Sequence, residues 1–162
     1  MGAYLSAPVT DKEQEEGTIG DSMTFGVTAM QGWRRDMEDD HYCGALESPK
    51  GADGELKVAM FAVWDGHGGK EVARFVRRHM APQLVEIAEY QRGELGLALV
   101  KAFHRMDEML WDDSNVAELE ALKKGPAEAE EEELDAGGEA LVARSRKPAL
   151  SSGGGGGGGG GG

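Results

Sequence analysis

The sequence is short of several things, and each shortage excludes something. Cys43 is its one cysteine in 162 residues, so no intrachain disulfide framework or cysteine-rich zinc site is available, and a reducing compartment is suited. No apolar run approaches the roughly 18 residues of a membrane span, and the start lacks the charged-then-apolar layout of a secretory signal. Positive charge is scarce: 17 Lys and Arg stand against 30 Asp and Glu, a formal net charge of −13. Without a strong basic cluster the phosphate backbone of a nucleic acid is not neutralised, so nucleic acid is excluded as a partner. Every aromatic ring lies at or before Trp111, so any compact unit has to come from roughly the first 120 residues. The chain is expected to be a soluble, cytoplasmic monomer, with the nucleus or transient membrane association as alternatives.

What is present divides the chain in three. Residues 1–22 read as a polar, extended arm. Within it, Met1-Gly2-Ala3-Tyr4-Leu5-Ser6 fits the N-myristoylation pattern. A single such acyl chain holds a protein only marginally, and Asp11, Glu13, Glu15 and Glu16 would repel anionic lipid, so membrane contact through Gly2 is expected to be weak and reversible. Residues 23–124 read as the folded part. Residues 125–162 carry seven acids and no base between Glu128 and Glu139, then Arg144, Arg146 and Lys147, then glycine from Gly153 to Gly162. Such runs have too little to bury, and a solvated, disordered tail is expected.

In the middle part, Phe25, Val27 and Ala29 alternate with Gly26 and Thr28, predicting a strand over Thr24–Met30. A weaker strand is expected from His41 to Leu46, and Ser48 to Gly54 has the composition of a turn. Val58 to Trp64 is the most apolar stretch and reads as a strand buried on both faces. The period then changes to that of a helix bearing Val72, Phe75, Val76, His79 and Met80 on one face, broken or kinked at Pro82. A second helix is expected from Glu94 to about Trp111, with Leu95, Leu99, Ala102, Phe103, Met106 and Leu110 as its core stripe. Strands first and helices after them predict an α+β fold with segregated layers.

Reactive groups concentrate in two segments, Met30 to His41 and Phe61 to Lys70. In the second, an apolar strand ends abruptly at Asp65, and Gly66 lets the backbone turn and expose a carbonyl beside that carboxylate. These are hard oxygen ligands suited to Mg²⁺ or Mn²⁺, and Glu38 and Asp39 could join them if the two strands lie side by side. Taken singly, Glu38-Asp39-Asp40 reads better as a wet acidic loop, Asp65 also as a helix N-cap, His67 as a loop histidine, and Arg34 and Arg35 as surface charges. Their clustering beside apolar strands argues against all of these together.

Other phosphate chemistries fail on spacing. A phosphate-cradling P-loop needs Gly-x-x-x-x-Gly-Lys-Ser/Thr, whereas Gly69-Lys70 is followed by Glu71 and preceded by Trp64 at the first glycine's place. A cysteine-dependent phosphatase needs an arginine about six residues after its thiolate, and Pro49 stands there after Cys43. Gly66-His67-Gly68-Gly69 is no dinucleotide fingerprint.

Three segments, Met1 to Pro8, Met30-Gln31-Gly32-Trp33-Arg34 with Met37-Glu38-Asp39, and Phe61 to Gly69, closely resemble in order and spacing the N-terminal motifs of the PPM family. These are the metal-dependent, type-two-C protein serine/threonine phosphatases, and the likeness covers residues 1 to about 112. It implies a β-sandwich of two antiparallel sheets flanked by helices, with two Mg²⁺ or Mn²⁺ ions in a cleft at one end. Asp65 would then bridge the ions, the Gly66 carbonyl would bind one, and Glu38 and Asp39 would complete the shell, mostly through water. Arg34 would grip the substrate phosphate and His67 would be the general acid. Phosphoproteins would be the substrates.

Family members carry further metal-binding aspartates downstream, in an Asp-Gly pair and an Asp-Asn pair, together with a Gly-Asp-Ser-Arg-like strand. Here the Asp-Gly pairs are Asp53-Gly54 and Asp65-Gly66 alone, and Asp-Asn does not occur. The chain is therefore expected to hold the first part of the domain, to leave the apolar faces of the Val58–Trp64 strand uncovered, and to turn over little substrate by itself. Two alternatives stand beside a phosphatase by lineage: a non-catalytic phosphoprotein- or metal-binding fragment, and an acidic interaction segment with a vestigial β fragment.

Overall fold

The computed structural model describes residues 4–21, 23–50 and 57–124. Gly2, the second half of the predicted turn and the acidic and glycine-rich residues from 125 onward lie outside the described residues. Four strands come first, β1 (Tyr4–Ile19), β2 (Met23–Arg34), β3 (Asp40–Leu46) and β4 (Val58–Trp64). Helices α1 (Glu71–Glu86), α2 (Ala88–Gln91), α3 (Leu95–Leu110) and α4 (Val116–Lys123) follow, with a 3-10 turn at Asp113–Asn115. The order is that of an α+β chain, and the strands pair antiparallel, β1 with β2 and β3 with β4. Among the described residues no helix is long and apolar enough to cross a membrane.

Of the residues read as an extended arm, Tyr4–Ile19 form strand β1, joined to β2 from Ile19↔Met23 outward. Its side chains gave no sign of this, because alternating burial begins only near Glu15 and the strand is held by backbone pairing. The register shifts between Tyr4 and Val9, around Pro8, a residue with no N–H to give to a ladder. In β2 the alternation is as the sequence predicts: Phe25, Val27 and Ala29 share the more buried face.

Strand β4 has the predicted bounds but not the predicted double burial. Met60, Trp64 and Val58 pack toward the helices along with Tyr42 and Leu46 of β3. The other face is open, with Phe61 48% and Val63 74% exposed. The helices cover one side of this two-stranded sheet, and on the other Phe61 meets Phe25 edge to face at a ring separation of 5.9 Å. Together with a 3.2 Å contact between His41 Nε2 and Glu15 Oε2, this ties one hairpin to the other. Of the two apolar faces expected to stay uncovered, the helices cover one and the other is largely open.

The core lies between α1 and α3. Phe75, Met80 and Leu84 of α1 are buried against Ala98, Ala102, Met106 and Met109 of α3, with Tyr90 beneath them. Ala98 and Ala102 are fully buried, while Leu95, Leu99 and Phe103 of the predicted stripe are exposed. The helix is turned so that its small residues meet α1 and allow close approach, leaving bulkier neighbours outside. Pro82 does not end α1, which runs four residues further to Glu86. Proline inside a helix costs about 3 kcal/mol, and burial of Ala81 and Leu84 on either side of it offsets that loss. Tyr90 Oη donates to the Glu47 carbonyl at 2.6 Å, pinning the far end of β3 to α2.

Candidate active site

The antiparallel register of β3 and β4 builds the site. Asp40 pairs with Trp64 as the last rung. One step further along both chains sets Asp39 opposite Asp65, and the next sets Glu38 opposite Gly66. The backbones do meet there: a Cβ placed on Gly66 would collide with the carbonyl oxygen of Glu38. Glycine is required at this position because any side chain would push the two loops apart.

A second bond closes the arrangement from the other side. The Gly69 N–H donates to Glu38 Oε1 at 2.6 Å. Gly68 and Gly69 have φ of +73° and +139°, values open to glycine and rarely to other residues. They bend the chain back so that α1 starts at Glu71, beside the acidic loop. The N-terminus of this helix carries partial positive charge, which eases the crowding of carboxylates near it.

Asp65, Gly66 and His67 line a cavity of about 470 Å³ whose other walls are apolar, among them Val63, Val72, Val76 and Phe103. Asp65 and His67 are exposed. Among the described residues neither they nor Asp39 nor the Arg34 guanidinium takes a hydrogen bond or ion pair, whereas the intervening Glu38, Asp40 and His41 side chains are all engaged. Of the groups singled out for chemistry, Asp39, Asp65, His67 and the Arg34 guanidinium are left available among the described residues, and Glu38 is held by the Gly69 N–H. Arg34 ends β2, opposite Tyr4. Gln31 Nε2 donates to the carbonyls of Arg34 and Arg35 at 2.9 and 2.8 Å, shaping the turn into the acidic loop. Arg34 precedes Glu38 by four residues in the chain, does not line the cavity, and among the described residues no bond joins it to Asp65 or His67.

Three contributors were not legible from residue types. Gln31 and the Gly69 N–H act through side-chain to backbone bonds that exist only once the loops have their shape. Arg77 of α1 donates from Nε to the His41 carbonyl at 2.8 Å and lies 3.2 Å from Asp40 Oδ1. Burial pushes the nearby Tyr42 phenol up, with the Arg77 charge opposing.

The donor set tests the expected metal. Asp65, Asp39 and Glu38 carboxylates and the Gly66 carbonyl are hard oxygens at the ends of two paired strands. Among the described residues no three His, Cys, Asp or Glu side chains gather into a cage. Mg²⁺ needs no such cage, since it keeps several waters and accepts one or two carboxylates. The set therefore fits a hydrated hard cation and not a closed structural site.

A family model described as Protein phosphatase 2C matches residues 23–147. Among curated relatives, Probable protein phosphatase 2C 58 of Oryza sativa subsp. japonica is 43% identical over 122 residues, 75% of this chain and 31% of that protein. Probable protein phosphatase 2C 21 of Arabidopsis thaliana is 40% identical over 122 residues, 75% of this chain and 32% of that protein. Protein phosphatase 1G of Bos taurus is 39% identical over 136 residues, 82% of this chain and 23% of that protein. The chain thus spans about a third of the length of the plant relatives.

Proposed function

The chain belongs to the protein phosphatase 2C family, and from that premise we propose that it carries the metal- and phosphate-handling part of a protein serine/threonine phosphatase. The observation that supports this reading most is the meeting of the Glu38-Asp39 loop with the Asp65-Gly66 turn at one end of the β3–β4 ladder. With it goes a β-sandwich, in which β1–β2 and β3–β4 are the first strands of two facing sheets; the Phe25–Phe61 and His41–Glu15 contacts support it.

Asp65 and the Gly66 carbonyl would hold Mg²⁺ or Mn²⁺, two ions in the complete centre, with Glu38 and Asp39 orienting water around them. When bound, such ions neutralise phosphate charge and make a water molecule more acidic. Arg34 would hold the substrate phosphate through its planar, two-pronged guanidinium. His67, exposed beside Asp65, would give its proton to the departing serine or threonine oxygen, a poor leaving group otherwise. The apolar cavity wall of Val63, Val72 and Phe103 would exclude water from one side of the reacting groups.

The test is phosphate release from a phosphoserine peptide with Mn²⁺, measured on the chain and on a chimaera in which residues 1–124 replace the matching part of a full-length relative. The chain alone is expected to be nearly inactive and the chimaera active, with Asp65→Ala and His67→Ala each reducing chimaera turnover by at least about a hundredfold. A chimaera whose turnover ignores Asp65→Ala would overturn the reading. A second reading, phosphopeptide binding without turnover, is favoured by the chain's span of about a third of the plant relatives' length. Its signature is phosphopeptide affinity lost with Arg34→Ala and no phosphate release from chain or chimaera.

A further inference from the structure

A long side chain of helix α1 is bonded to the start of β3, next to Asp39. The Arg77 Nε–H donates to the His41 carbonyl at 2.8 Å and stands 3.2 Å from Asp40 Oδ1. The same carboxylate oxygen accepts the His41 N–H at 2.8 Å. These contacts grip the first two residues of β3, immediately after Asp39. Immediately before Asp39, Glu38 is held by the Gly69 N–H. On the opposite side His41 Nε2 lies 3.2 Å from Glu15 of β1. Asp39 is therefore fixed from both sides while its own carboxylate makes no bond among the described residues.

We propose that Arg77 is a positioning residue for the candidate cation site, acting through Asp40 and the start of β3 to hold Asp39 opposite Asp65; this rests on the reading of the site given above. Successive side chains of an extended chain point to opposite faces. Drawing Asp40 toward α1 turns Asp39 to the other side, the side that Asp65 takes by following Trp64. Loss of the grip would let β3 begin later and the two carboxylates drift out of register.

Charge and position make opposite demands here, which sharpens the inference. Arg77 is a cation near a cation site, so by charge alone its removal should strengthen metal binding. As a positioning residue its removal should weaken it. Folding enters little, because the Arg77 side chain is 54% exposed and ion pairs so exposed add little to stability.

The experiment is a Mn²⁺ titration of the full chain followed by the electron paramagnetic resonance signal of the free ion, with thermal melting by circular dichroism alongside. Arg77→Met, which keeps the aliphatic stem, is expected to lower Mn²⁺ affinity about tenfold, the usual scale for a partner of a metal ligand, with the melt unchanged. Arg77→Lys restores part of the loss. Should Arg77→Met unfold the chain, Asp40→Asn carries the same test with the same expected loss. Affinity at or above that of the parent chain in the folded variant overturns the inference. Asp65→Asn separates the two levels: if it abolishes binding while Arg77→Met leaves it intact, the positioning role falls and the site stands. If Asp65→Asn binds Mn²⁺ as the parent does, both fall.

Discussion

The β1–β2 hairpin and the β3–β4 sheet with its helices are built on different principles. The second buries Phe75, Met80, Tyr90, Ala98, Ala102 and Met106 almost completely. The hairpin has longer strands yet buries none of its described residues fully; its own backbone ladder holds it together, and among the described residues a ring contact and a histidine contact tie it to the sheet. Length of pairing does not measure anchorage. The candidate site sits where the two meet, with Arg34 supplied by the loosely held partner and Asp65, Gly66 and His67 by the packed one. The position of Arg34 is thereby open to adjustment, while Asp39 and Asp65 are set by the register of the β3–β4 ladder.

The largest expected effect lies in the packed part. Phe75→Ala removes a fully buried ring from the middle of the core and is expected to cost about 3–5 kcal/mol, read as a shift in the urea midpoint. A loss below about 1 kcal/mol would mean that the core is not centred on α1. In the hairpin, Phe25→Ala removes the edge-to-face contact with Phe61 and is expected to cost about 1–2 kcal/mol. Amide exchange of β1 and β2 should quicken in this variant while that of α1 and α3 holds. Equal quickening in both parts would erase the contrast between them.

The smallest effect is a pH dependence confined to the helical part. Glu89 accepts from Lys101 and Arg92, each at 2.8 Å. These bonds hold its carboxyl at about 2, against a usual value of 4.5. A carboxylate lowered in this way adds stability that is complete above about 4.5 and is lost as the pH falls through about 2. Glu89→Gln should flatten that part of the stability curve, measured by urea denaturation at several pH values between 6 and 2.5. Parallel curves for the two proteins would show that the bonds do not survive in solution.

Legibility of the sequence followed the physics of each element. Strand β4 carries its own signal, a short apolar run bounded by turns, and its limits could be read directly. The burial of only one of its faces could not, because that depends on what is packed against it. Helix α3 was legible in extent, but its orientation was set by the alanines, which hydrophobic patterning weights least. β1 was invisible, since a polar strand is stabilised by a partner that composition does not name. In the site, the clustering of Glu38, Asp39, Asp65 and His67 between apolar segments was readable. The bonds that arrange the loops, from Gly69, Gln31 and Arg77, each have a backbone atom as donor or acceptor, which residue types do not display.

The ladder that brings Asp39 to Asp65 has its connection at the opposite end, seven residues away along each strand, or about 23 Å. There Glu47 and Lys50 are moored to α2 by Tyr90 and Gln91. Lys50, exposed at that end, is consequently a natural place to attach a fluorescent reporter. Such a label would report on events at its own end of the ladder while leaving the Asp39–Asp65 end unaware of it.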